Sequence, residues 1–121
     1  MKKQESQLQT ACVKWFNLQY RELQGLLFSV PNGGNRNIIE AKSLKSECVV
    51  AGVSDLILLI SNGTYNSLCI EMKNGNNGAQ SDNQKIWQEK VEKYANKYII
   101  CRTFDEFKFE IESYIEKQNV T

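Results

Sequence analysis

Leu8, Cys12, Trp15 and Phe16 recur three and four positions apart, with Glu5 heading the same stripe, and predict an amphipathic helix from Glu5 to about Tyr20. Leu26 to Val30 is a short, partly β-branched run closed by Pro31 and Asn32-Gly33-Gly34, which reads as a first strand and a tight loop. Asn37 and Glu40 have the spacing of a helix N-cap and its third residue, so a short helix is expected through Ala41, Leu44 and Lys45 before Gly52. Asp55 to Ile60 and Ser67 to Met72 are apolar runs around Ser61-Asn62-Gly63-Thr64-Tyr65, the pattern of a β-hairpin. After a Gly/Asn loop over Gly75 to Gly78, Ser81-Asp82-Asn83-Gln84 can cap a helix striped by Gln84, Trp87, Val91 and Tyr94. Tyr98 to Cys101 reads as a buried strand. Thr103 and Glu106 then cap a last helix carrying Phe104, Phe107, Ile111 and Tyr114. The expected fold is α/β, a mixed sheet with a central antiparallel hairpin, flanked by helices.

The hairpin holds the candidate chemistry. Glu71 and Lys73 project to one face of their strand and Met72 to the other, because side chains alternate. Asp55 joins them only in one register. A two-residue Asn62-Gly63 loop sets Asp55 opposite Ile70 and splits the carboxylates; an odd loop, or a bulge with Gly63 in the left-handed region, sets Asp55 opposite Glu71. The odd register is expected. Two facing carboxylates repel and are costly to bury unpaired, so the pair calls for a cation. Mg²⁺ suits it, being commonly held by one or two carboxylates with waters and phosphate, and a nearby backbone carbonyl such as that of Met72 could contribute. Lys73 would orient the nucleophile and stabilise charge on phosphorus. Against this stands an ordinary exposed Glu-x-Lys surface pair worth about 0 to 1 kcal/mol.

Composition narrows the class. With 121 residues and 41% hydrophobic content, the chain is expected to form one domain with one modest core. No apolar run approaches the ~20 residues of a membrane span, and the start is polar, so a soluble, intracellular protein is expected. Cys12, Cys48, Cys69 and Cys101 are widely spaced and histidine is absent, which argues against zinc and against a disulfide framework and for buried free thiols. Net charge is +1, but residues 1 to 45 carry seven Lys or Arg against three Glu, and the remainder eight against eleven acids. A basic surface in the N-terminal third could meet phosphates, or the imbalance is scatter on solvated faces.

The chain resembles the virus-type replication-repair nuclease (VRR-NUC) domain of the PD-(D/E)xK nuclease superfamily. The likeness is carried by Glu5 with Gln9, Val30-Pro31-Asn32-Gly33-Gly34-x-Arg36, Ala41 with Leu44-Lys45, Ala51-Gly52-Val53-Ser54-Asp55, Ile70-Glu71-Met72-Lys73, and Gln84 with Trp87. It implies a restriction-endonuclease-like fold and a DNA endonuclease using Mg²⁺ or Mn²⁺. Asp55, Glu71 and Lys73 would be its catalytic core, Glu5 an outer carboxylate near the metal, and Gln84 a polar contributor from the next helix. It further implies a homodimer acting on branched DNA such as Holliday junctions or flaps, in the cytoplasm of a bacterium or phage-infected host, with no membrane partner. Ser54 replaces the proline expected before the acid, the glycine common near Glu47 or Cys48 is absent, and Asn96-Lys97-Tyr98 stands where a Gly-Tyr pair is usual.

Individual residues keep two readings. Glu5 could simply favour a helix N-terminus, and Gln84 could turn its amide back to Ser81 as half of a capping box. Arg36 is either a bidentate phosphate contact or a solvated loop residue; Asn32, Gly33 and Gly34 allow close approach to a sugar-phosphate chain or merely make a turn, and Lys45 belongs with them as a nucleic-acid contact. Trp15, Trp87 and the phenylalanines read as core rather than base-stacking platforms. The alternatives to an enzyme are a nucleic-acid-binding or protein-interaction module with little turnover, and a structural protein whose acids hold a stabilising ion.

Overall fold

The computed structural model describes residues 3–31, 45–76 and 78–116. Its elements run α1 (Lys3–Gln19), a 3₁₀ turn (Arg21–Leu23), β1 (Leu27–Ser29), β2 (Leu56–Leu58), β3 (Leu68–Met72), α2 (Asp82–Lys93), β4 (Lys97–Cys101) and α3 (Phe104–Glu116). The short helix expected from Asn37 falls mostly outside the described residues, as does the loop of Asn32, Gly33, Gly34 and Arg36.

The four strands form one mixed sheet in the order β1-β2-β3-β4, antiparallel except for the β3–β4 pair. Leu56, Leu58, Leu68, Ile70, Met72 and Cys101 share the face that packs on Cys12 and Phe16 of α1 and on Phe107, Ile111 and Tyr114 of α3, and this is the core. The opposite face carries Cys69, Glu71 and Tyr98, with α2 against it through the edge-on contact of Trp87 with Tyr98 at 6.2 Å. All five residues of β3 are therefore buried, as befits a strand covered on both sides, and Glu71 is the one charged residue among them.

The hairpin pairs Leu56 with Ile70 and Leu58 with Leu68, which is the odd register, and Gly63 at its centre has φ +88°. Its strands stop short of the expected ends. Asn62 is buried: its amide nitrogen donates to the Tyr114 carbonyl on α3 (3.1 Å), and its Oδ1 accepts from Thr64 N (3.0 Å) and Tyr65 N (2.8 Å). Asn62 thus ties the turn to α3, and residues 59–67 lie between the paired strands.

Of the three predicted capping signals, Asn37 with Glu40 lies outside the described residues and the other two operate. Ser81 and Gln84 form a reciprocal capping box on α2, and Thr103 Oγ1 accepts from Glu106 N (3.1 Å) at the start of α3. The end of α2 is a Schellman motif, with Asn96 N–H bonded to Val91 O (3.0 Å) and Ala95 N–H to Glu92 O (3.2 Å). Ala95 takes φ +65° there, the left-handed position that favours glycine, and Cys48 takes φ +72° close to where the resemblance expects one.

Several core expectations fail, because residue type and pattern say which positions are apolar but not how far a neighbour extends over them. Cys48 is exposed while Cys12, Cys69 and Cys101 are buried and free. Tyr94, at the C-cap beyond the reach of the sheet, is 68% exposed. Phe109 lies 65% exposed on the outer side of α3 and Phe28 is partly exposed on the edge strand β1.

Candidate active site

Asp55 sits immediately before β2, and the odd register carries it to the row of Glu71. Its Oδ2 accepts from Met72 N–H at 2.7 Å, a bond that takes over from the ladder where β2 has not yet begun. The N–H and C=O of one strand residue leave the same edge, so the Met72 carbonyl also faces the Asp55 side. Ser54, in the place of the expected proline, is fully buried and donates its hydroxyl to Leu56 O (3.0 Å), fixing the approach to β2 by a side-chain bond instead of a ring.

Glu71 lies against Asp55 and is 3% exposed. Burial, the adjoining Asp55 carboxyl and its charge, with a further push from Glu5, drive its pKa up to about 9 against the pull of Lys73. One oxygen, Oε2, accepts from Gln84 Nε2 at 3.0 Å. The other, Oε1, is buried and meets no donor.

Gln84 makes the hydrogen bonds of both readings open to it. Its Oε1 accepts from Ser81 N–H (2.9 Å), closing the capping box, and from Lys73 Nζ (3.3 Å), while its Nε2 holds Glu71. A primary amide has a two-lone-pair acceptor at one end and two donors at the other, so helix capping and site support do not compete. Lys73 Nζ stands 4.0 Å from Glu71 Oε2.

Glu5 is part-buried near the same end of the sheet. A Cβ placed on Gly78 would come within 3.9 Å of Glu5 Oε1 and 3.3 Å of Lys73 Cδ, so the three meet at the loop that follows β3. Glu5 does not close a three-acid cluster with Asp55 and Glu71: among the described residues, no group of three or more Asp, Glu, His or Cys side chains could together hold an ion. Lys45 is exposed and, among the described residues, makes no hydrogen bond or ion pair with this group.

The sequence reads as a Gly/Asn loop over Gly75 to Gly78 and says nothing of what holds it. In the structure Arg102 donates from Nη1 to Gly75 O (2.9 Å) and from Nη2 to Gly78 O (3.4 Å), and Asn74 donates to Gln4 on α1 (2.6 Å). These bonds hold the loop over Lys73 and Glu5. The advance signals are the glycines at 75 and 78, which have φ +54° and +82°.

The family model of the VRR-NUC domain matches residues 3–105. The chain belongs to the VRR-NUC domain family. A solved structure described as a VRR_NUC domain protein is similar over 96% of this chain and 91% of that one, with a TM-score of 0.81 and 27% sequence identity. No curated protein matches the chain. The VRR-NUC family is of nuclease type, and the described residues build a mixed four-stranded sheet flanked by three helices, matching the fold of that solved structure. Among the described residues, no helix is long and apolar enough to cross a membrane.

Proposed function

We propose that the chain is a divalent-metal-dependent DNA endonuclease whose site is Asp55, Glu71, Lys73 and Gln84, with Glu5 at its margin. One observation carries the reading: two carboxyls are packed together at a sheet end, and Glu71 Oε1 is buried with no donor. Such an oxygen costs stability unless something positive faces it. The donor set is all oxygen, Asp55 and Glu71 with the Met72 carbonyl at the same edge, which suits Mg²⁺ or Mn²⁺ and not zinc.

A divalent ion there would lower the pKa of water and offset phosphate charge. The protein's own part is positioning. Gln84 restrains Glu71 Oε2 and Lys73 from opposite ends of one amide. An ammonium has three donors; one goes to Gln84 and one faces Glu71, leaving Lys73 a donor for the attacking water or a phosphate oxygen. Hydrolysis adds the water oxygen to phosphorus and breaks the ester bond, with the water proton passing to the leaving alkoxide.

Branched DNA is the proposed substrate and a two-fold dimer the proposed state, since one site cuts one strand and a symmetric pair treats two strands of a junction alike. Cleavage of linear, flapped and four-way DNA with Mg²⁺ or Mn²⁺ is the test. Wild type should cut, with four-way or flapped DNA preferred, and Lys73→Ala should lose at least a hundredfold in rate while still binding DNA. No cleavage of any substrate by wild type in Mn²⁺, with binding retained, would leave a nucleic-acid-binding module.

A further inference from the structure

We propose that Gly52 is a positioning residue for the site, acting through Gln84; the inference rests on the reading of Glu71 and Lys73 as site residues. The segment that delivers Asp55 passes directly against the first turn of α2. Gly52 has φ +88°, and a Cβ there would fall 2.3 Å from Asn83 O, 2.5 Å from Asn83 C and 2.9 Å from Gln84 N. All three are backbone atoms, so no rotamer change relieves the overlap.

Only a residue with no side chain lets the 51–55 segment and α2 meet at this distance. The contact falls between Asn83 and Gln84, and the Gln84 side chain leaves that turn to bridge Glu71 Oε2 at 3.0 Å and Lys73 Nζ at 3.3 Å. Any L-side chain at 52 displaces the root of Gln84, and hydrogen bonds at these lengths do not survive a shift of about an ångström. Asp55, three residues along the same segment, stays tied to Met72 N. Gly52 thus sets the spacing between the carboxyl pair and the amide that holds it.

Gly63 provides a matched control. It has the same φ of +88°, with nothing within 4 Å of its would-be Cβ, so Gly63→Ala imposes the backbone strain without the collision. The Gln84 side-chain amide is followed by NMR in metal-free protein, and Mn²⁺ affinity by calorimetry. Slowed exchange of the Gln84 Nε2 protons should be present in wild type and G63A and lost in G52A. Mn²⁺ affinity should fall about tenfold in G52A and in Gln84→Ala, and the double variant should be no weaker than Gln84→Ala alone. A G52A protein with the Gln84 amide still protected and Mn²⁺ affinity equal to that of G63A overturns the proposal, as do fully additive losses. Should G52A fold poorly, all variants are compared in trimethylamine N-oxide; failure to fold there while G63A folds also overturns it, because the effect is then on the whole domain. If wild type binds no Mn²⁺, the nuclease reading fails and the amide signal alone decides the role of Gly52.

Discussion

Glu71 concentrates the cost of this site. Its pKa rises on folding from the ordinary 4.5 to about 9, mainly because burial and the Asp55 carboxyl disfavour its charge. Between those values the folded state binds more protons than the unfolded one, so metal-free stability falls as pH rises across that window and is fully present below it. Glu71→Gln should flatten the dependence. Its amide can donate toward Asp55 as a protonated carboxyl does, and its oxygen can accept from Gln84 Nε2. Thermal melts in chelator should therefore show the variant several degrees above wild type at pH 8.5 and level with it near pH 4.5; a parallel pH slope in both proteins would contradict the assignment. The Asp55–Glu71 pairing could be read from the chain because register is arithmetic once the hairpin is recognised. The double set of contacts made by Gln84 could not, since its Oε1 takes both the Ser81 N–H and Lys73 Nζ while Nε2 reaches Glu71, and either set alone explains the residue.

The ends of the secondary-structure elements depend on contacts remote in sequence, and there the reading of the chain loses accuracy. Asn62-Gly63 announces a turn, yet nothing local says that Asn62 will donate to the Tyr114 carbonyl or that both strands will stop short. Helix caps are local: the Ser81–Gln84 box forms in full, and Thr103 Oγ1 accepts from Glu106 N at the start of α3. The Schellman end of α2 is the exception: Ala95 adopts φ +65° where the family usually places a glycine nearby, so tertiary structure overrides the residue's preference. That strain is removable. Ala95→Gly should stabilise the protein by about 1 kcal/mol, the usual penalty of a left-handed L-residue less the glycine's extra freedom in the unfolded chain. Urea unfolding at constant m-value measures it, and a loss of stability would mean that the alanine methyl makes a contact worth more than the strain.

Taken as one object, the molecule separates its fold from its chemistry across the sheet. One face is a continuous apolar core with α1 and α3; the other, under α2, carries Glu71 and Gln84, and only the N-terminus of α1 and the Arg102-pinned loop bring Glu5 around to join them. Architecture was readable because period and turn chemistry agree along the chain. Charge along the chain is readable too, a net +1 that divides into a basic N-terminal third, +4 over residues 1 to 45, and an acidic remainder, whereas the face on which those charges gather is set by tertiary structure. The proposed nuclease reading has that third meet phosphate, and this can be measured without knowing the substrate. Binding through Z phosphate contacts gives a slope of about −0.9Z in log K against log salt on duplex DNA. Replacing Arg36 and Lys45 together by alanine should weaken binding to every DNA tested and lower the slope by about 2. Thermal stability, set by the apolar core, should be unchanged. An unchanged slope would move the DNA path away from the basic third, toward the Lys73 end of the sheet and the first turn of α2.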